Sequence, residues 1–388
     1  MKERVFVEDT EDEYQQLRGL FICLGQVEYY EEWIMRIERA VLERFCTEVF
    51  IHMGLPKDEA EGSARVLVAA DARGIESHGV GRLQRYVNGI ERGVMQGSAV
   101  PVILRETPMS RVLDAQGAMG MGLSMHAMEW VIEQAGVLGF ACASIRNSNH
   151  FGIAGFYAEM AARKNMIGIC MTNTAALGVP TFAKTAMFGT NPIAFAVPSH
   201  GRLFSLDMST TAVTRGKVEV YAREQKELPL GWAVDTSGRG TVDAGALLED
   251  MLFQRGGGLL PLGGEGERFS GYKGYGLAVM VDILTALTSG GVFGKSVQDS
   301  AATSARVCHF FAAIRLDIFR DPEEFKSDMD RLLAELSQAG PAVGARRVYY
   351  AGLKEQERED ESNRIGVEIS EVVYSRLKTL SERLGIML

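Results

Sequence analysis

Residues 141–155, ACASIRNSNHFGIAG, restrict the fold more than any other stretch of the chain. The segment opens as a strand of small apolar residues and turns polar at Arg146-Asn147-Ser148-Asn149-His150. It then passes through Phe151-Gly152 into a helix. A buried strand that ends in a polar cluster is where open α/β sheets present chemistry. His150 stands at the mouth of that turn, with Asn and Ser donors beside it to orient an imidazole or a ligand. The competing role is structural, with Asn147 and Asn149 as turn formers and helix caps.

Residues 1–28 show no clear period. Over 29–53 the apolar residues Trp33, Ile34, Ile37, Val41, Phe45, Val49 and Phe50 recur at helical spacing. Gly54 and Pro56 stop that helix, and a second helix spans 58–73. Gly74 breaks it, Glu76-Ser77-His78-Gly79 forms a polar turn, and Arg82 begins a third helix carrying Leu83, Tyr86, Val87 and Ile90 on one side. After Gly97 the texture changes. Short strands bounded by Gly, Pro or Asn are expected at 100–104, 112–114, 140–145, 167–172, 193–197 and 203–207, with helices at 123–137 and 154–164. A glycine-rich loop over 256–276 precedes an apolar helix at 277–287. A strand at 309–316, a helix at 322–338, a strand at 347–350 and a helix at 368–384 complete the chain. A helical layer at the start that returns at the end predicts a discontinuous domain enclosing an α/β one.

Composition narrows the function. The 388 residues carry a net charge of −9 with no basic stripe, which argues against nucleic acid as the main partner. An acidic protein that binds an anion must do so with a few local cations, so single arginines become informative. No window approaches the roughly 18 uninterrupted apolar residues of a membrane span, and the acidic start MKERVFVEDTEDEYQQ lacks a signal-peptide core. Cys23, Cys46, Cys142, Cys170 and Cys308 are scattered without a C-x-x-C pair. They suggest neither a disulfide framework nor a thiolate zinc site, and they fit a reducing cytoplasm.

A dinucleotide fingerprint, G-x-G-x-x-G between strand and helix, is absent. The glycines at 117, 120 and 122 have the wrong spacing and read as a tight turn before a helix. Of the six histidines, only His78 and His150 lie in polar, glycine-flanked turns, and no His/carboxylate pattern supports a metal. An arginine follows His78 four residues on. Arginine offers a carboxylate a planar, permanently charged fork, and histidine exchanges protons near neutral pH. Together they are the parts needed to oxidise a 2-hydroxy acid or reduce a 2-oxo acid beside a hydride carrier.

The blocks ESHGVGRLQRY, NSNHFGIAGFYA, MTNTAALGVPTF, FGTNPIAFAVP, LDMSTTAVTRGKV, PLGWAVD and GYKGYGLAVMVDIL resemble, in that order, the type-2 malate/L-lactate dehydrogenase family. That family includes sulfolactate and ureidoglycolate dehydrogenases and cyclic-imine carboxylate reductases. The resemblance begins at about residue 36 and implies a non-Rossmann, mixed-sheet α/β/α fold like that of L-sulfolactate dehydrogenase. It also implies NAD or NADP as cofactor and a homodimer with the active site near the subunit interface. The expected divisions are an extension at 1–34, a helical domain beginning at 35–105, an NAD(P)-binding α/β domain at 106–265, and a part at 266–388 that returns to the helical domain.

Residue by residue, the resemblance implies that His78, with Ser77 before it and Asp207 held nearby to fix its tautomer, is the proton-relay histidine. Arg82 grips the substrate carboxylate, with Asn149 beside it. His150 matches a second active-site histidine, assigned in some members as the proton acceptor, so the acid/base is either His78 or His150, with His78 the first choice. Asn173, Thr174, Asp207, Met208, Ser209 and Lys273 match cofactor-contacting positions. The family's P-G-E near the carboxyl end, which helps close over the cofactor, is replaced by Tyr350-Ala351-Gly352-Leu353-Lys354-Glu355, where only Gly352 aligns as a cofactor-contacting position. Residues 250–255 read as an insertion that lengthens the approach to the glycine-rich loop.

Three other readings compete. The same carboxylate grip would serve a piperideine- or pyrroline-2-carboxylate reductase, with the proton delivered to nitrogen. Ser77, His78 and Asp207 could form a hydrolase triad, although adjacent Ser and His side chains rarely meet and no G-x-S-x-G elbow is present. A catalytically silent binding protein is the third.

Overall fold

The computed structural model describes residues 34–298 and 304–388. Almost all of the extension expected at 1–34, with Trp33 and Cys23, lies outside them. The first described element is a strand, β1 (Ile34–Ile37), where helical spacing was expected. It pairs antiparallel with residues 367–370, and Arg36 reaches Glu368 at 2.6 Å. Helix α1 (Arg39–His52) therefore starts late and buries Leu42, Phe45, Cys46, Val49 and Phe50 on one face. Helix α2 (Lys57–Ala72) is rich in alanine and nearly all buried. After two short 3-10 turns, Glu76–His78 and Val80–Arg82, comes α3 (Leu83–Glu91).

The sheet begins with β2 (Val102–Thr107) and β3 (Ser110–Asp114). Helix α4 (Gly120–Leu138), β4 (Phe140–Ser148), α5 (Ala154–Ala162) and β5 (Met166–Thr172) follow. Next come β6 (Ile193–Val197) and β7 (Phe204–Met208). An excursion carries α6 (Arg215–Arg223), the two-residue β8 (Ala233–Val234), α7 (Ala244–Leu252) and the two-residue β9 (Gly258–Leu259). It has its own small core around Val218, Leu228, Leu247 and Leu259. Helix α8 (Gly271–Asp282) absorbs the last glycines of the expected loop and runs into a π turn at Ile283–Leu287. The chain ends with β10 (Val307–Arg315), α9 (Pro322–Gln338), α10 (Leu353–Ile365), β11 (Val367–Ser370) and α11 (Glu371–Leu384). No strand forms at 347–350. The chain meets the edge strand β7 only just after it, where the Ala351 carbonyl accepts the Ser205 N–H, and Arg347 instead stacks on Tyr349 and pairs with Glu357.

The seven-stranded sheet has the order β2-β3-β4-β10-β5-β6-β7, with only β3 and β4 parallel. The fold is thus mixed α/β with a mixed central sheet. Strand β10 lies in its middle, between β4 and β5, so the segment 266–388 crosses the α/β layer before α10 and α11 return to α2 and α3. No helix among the described residues is long and apolar enough to cross a membrane. Of the cysteines, Cys46, Cys170 and Cys308 are buried and Cys142 partly so, all four unpaired.

Candidate active site

Two polar turns converge at the head of a cleft of about 1550 Å³. One is the Glu76–Arg82 segment between α2 and α3, and the other is the end of β4. The rings of His78 and His150 stack at 5.3 Å between centroids. His78 Nδ1 is hydrogen-bonded to Ser77 Oγ at 2.8 Å, so the adjacent side chains do meet, against the sequence expectation. His150 Nδ1 is held at 2.7 Å by the Tyr86 hydroxyl and accepts the Gly152 N–H at 3.3 Å. A nitrogen that accepts an N–H carries no proton, so neutral His150 bears its hydrogen on Nε2.

Arg82 donates through Nε to the Ser77 carbonyl, which aims its guanidinium from the same turn. Arg85 and Arg92 line the cleft beside it, three and ten residues on. Both imidazoles keep a face on cleft solvent while protein surrounds them on most sides. Burial, then Arg82 and Arg85, push His78 down to about 4. Burial, then His78 and the same arginines, hold His150 well below its ordinary value. Both rings are neutral in the free protein.

Asp207 does not orient His78. Its Oδ2 accepts the Gly155 N–H at 2.7 Å and so ties β7 to the first turn of α5. Solvent reaches this carboxylate along the cleft, yet enclosure by protein raises it to about 6, offset in part by the Gly155 bond and Arg73. The hydrolase triad therefore does not assemble. Asn149 is also spent internally: its amide donates to the Gly117 and Ala118 carbonyls and accepts from Ser304, so it shapes the turn instead of presenting a group to substrate.

Asn173 donates to the Val292 carbonyl and accepts the Cys308 N–H, while Thr174 Oγ1 accepts the Thr190 N–H. These two line the cleft through backbone and edges, as do Met208, Ser209 and Gly352. Lys273 does not line it. It lies exposed in the first turn of α8, its ammonium 6.0 Å from the Tyr272 ring. The cations the cleft does contain on that side are Arg215, Lys295 and Lys354, none singled out from sequence. Residues 250–252, read as part of an insertion, finish α7 and line the far end.

Sequence reasoning also missed the residues behind the turns. Tyr86 was counted as an apolar helix position, although four residues after Arg82 it shares that face of the helix. His309 is fully buried on β10, bonded to Thr172 Oγ1 at 2.8 Å and Ser148 Oγ at 2.9 Å, and its ring lies 4.5 Å from that of Phe151. Nothing local in the sequence marks it. No cluster of three or more metal-ligating side chains occurs among the described residues.

Comparison with known proteins agrees with this architecture. A family model described as malate/L-lactate dehydrogenase matches residues 37–378. The chain is 40% identical to a malate dehydrogenase of Pyrococcus abyssi over 358 residues, 92% of this chain and 97% of that protein. The crystal structure of malate dehydrogenase from Entamoeba histolytica superposes with a TM-score of 0.88 at 31% identity, covering 92% of this chain and 99% of that one. Sulfolactate dehydrogenase from Methanocaldococcus jannaschii superposes with a TM-score of 0.81 at 34% identity, covering 91% and 98%.

Proposed function

The chain belongs to the malate/L-lactate dehydrogenase family, and on that premise we propose that it interconverts malate and oxaloacetate, or a 2-hydroxy acid of like charge, with NAD or NADP. The observation that carries this reading is the meeting of Arg82 with the stacked pair His78 and His150 at the cleft head. Arg85 and Arg92 on the same wall favour a doubly anionic acid over lactate.

A nicotinamide dinucleotide, when bound, supplies the hydride acceptor or donor for C2 of the substrate. The cleft suits one. It continues past the backbone at 173–174 and 208–209 to Arg215 and Lys295, cations suited to its phosphates. Its fit does not draw on Lys273.

Arg82 holds the C1 carboxylate with its terminal nitrogens while Nε keeps its bond to Ser77. The bound carboxylate offsets the positive charge that depresses His78, so the imidazole becomes a stronger base as substrate arrives. In oxidation, Nε2 of His78 takes the hydroxyl proton while Nδ1–H donates to Ser77 Oγ. Neutral His150 cannot accept at Nε2, because Tyr86 and Gly152 occupy Nδ1. It donates that N–H to the reacting oxygen, as a fixed dipole. Asp207 keeps α5, and with it the His150 turn, in place.

We also propose a cytoplasmic homodimer. Tyr272, Val279, Ile283 and Leu287 expose one apolar face of α8 and its π turn, suited to a second copy of the chain. A reducing compartment suits the unpaired cysteines.

The test is oxidation of NADH and NADPH against oxaloacetate, pyruvate, sulfopyruvate and piperideine-2-carboxylate. Oxaloacetate should give the highest kcat/KM. Silence across the panel overturns the reading, and a cyclic imine turned over fastest replaces it with the reductase alternative.

A further inference from the structure

We propose that Asp71 is a positioning residue: its carboxylate, buried beneath the turn that carries Ser77, His78 and Arg82, holds that turn where imidazole and guanidinium face the cleft. The inference rests on the roles given above to His78 and Arg82.

Asp71 lies in the last turn of α2 and is 6% exposed. Its Oδ2 accepts the Val80 N–H at 2.6 Å. Val80 opens the 3-10 turn that runs into α3, so the carboxylate sits at the amino end of that helical segment, where N–H groups lack partners and negative charge is favoured. On the other side, a Cβ at Gly79 would fall 1.9 Å from Asp71 Oδ1. The φ of Gly79 is −88°, ordinary for any residue, so closeness to the carboxylate and not backbone conformation demands glycine. The chain is thus seated on Asp71 at Gly79 and Val80, immediately after His78 and two residues before Arg82.

The groups facing this carboxylate are the Val80 amide and Glu76 from the turn above it, and the Cys46 thiol from α1. Among the described residues no cation pairs with it. A buried carboxylate without a cation costs stability, which is retained where the charge serves another purpose. Burial, against the Val80 bond, pushes its carboxyl up to about 7. The folded protein therefore binds this proton more tightly than the unfolded chain does. Ionisation of Asp71 lowers stability as pH rises through neutrality while it strengthens the hold on Val80.

D71N tests the assignment, since the amide keeps an oxygen for the Val80 N–H and removes the charge. The expected result at pH 8 is a Tm equal to or above that of the wild type with kcat/KM for oxaloacetate lowered roughly 10- to 100-fold, as misplacement of reacting groups does. The wild-type pH profile should show an inflection near neutrality that D71N lacks. A histidine NMR titration should show the His78 signal moved in D71N while that of exposed His200 stays. Full activity with an unchanged profile, or a loss of activity that only follows a fall in Tm, overturns the proposal. So does an unmoved His78 signal. A wild-type enzyme silent on the substrate panel whose His78 signal still moves in D71N would sink the dehydrogenase reading and leave the positioning role of Asp71 standing.

Discussion

The imidazoles of His78 and His150 lie 5.3 Å apart with 27° between their planes, close enough that one ring's charge opposes the other's. With Arg82 and Arg85 beside them, the pair accepts one proton at a time, and the Tyr86 bond to His150 leaves His78 to take it.

Removing that acceptor should cost most. H78N should lower kcat for malate oxidation by about 10²- to 10⁴-fold, the span of a lost general base. Because the rings act as a unit, H78N/H150N should be little worse than H78N alone. Steady-state kinetics of the three proteins decides it, and a double variant that multiplies the two single losses would argue for independent roles.

The pH dependence follows from the free protein, which kcat/KM reports. His78 is held at about 4, below the ordinary imidazole value, so malate oxidation should keep its base deprotonated down to mildly acid pH. The steep acid limb of kcat/KM should lie near 4, where His78 takes up a proton and stops accepting one. A limb at 6.5 that persists in D71N, where the inflection from Asp71 is gone, would mean that the arginines and burial leave the ring unperturbed.

Arg82 has two tasks, since its Nε holds Ser77 while its terminal nitrogens remain for substrate. Lysine has one point charge and cannot do both. R82K should lose about 2 kcal/mol of transition-state binding, roughly 30-fold in kcat/KM, chiefly through KM. The NMR titration of His78 should show its pKa rising in R82Q, where one of the cations that depress it is gone.

Tyr86 reinforces the tautomer that the Gly152 N–H selects. Y86F leaves His150 Nδ1 with only the 3.3 Å contact from Gly152, so the ring and its Nε2–H are held less firmly. The expected cost is about 1 kcal/mol in stability by calorimetry and roughly a tenfold fall in kcat with KM nearly unchanged. Unaltered kcat would show that the hydroxyl serves packing alone.

The exposed face of α8 gives the last test. I283D/L287D places two charges on it at positions already open to solvent, 45% and 53% exposed, so the monomer should still fold. Sedimentation should show a dimer for the wild type and a monomer for the variant. A wild-type monomer would show that this face is not an interface.

Local pattern determined much of this protein. Helical spacing placed α2 and α9, and alternating short strands placed the sheet, with residues 193–197 matching β6 end to end. The polar turns with His78, Arg82 and His150 stood out because glycine and polar residues interrupt apolar runs. Only tertiary structure decided that Ile37 pairs with Val367 and that β10 enters between β4 and β5. It alone committed the amides of Asn149 and Asn173 internally, set Lys273 on the outside, and brought Tyr86 and Asp71 beneath the histidines. Periodicity is a property of neighbouring residues and can be read one window at a time. The destination of a side-chain hydrogen bond depends on what the rest of the chain delivers to that point in space, and no window contains it.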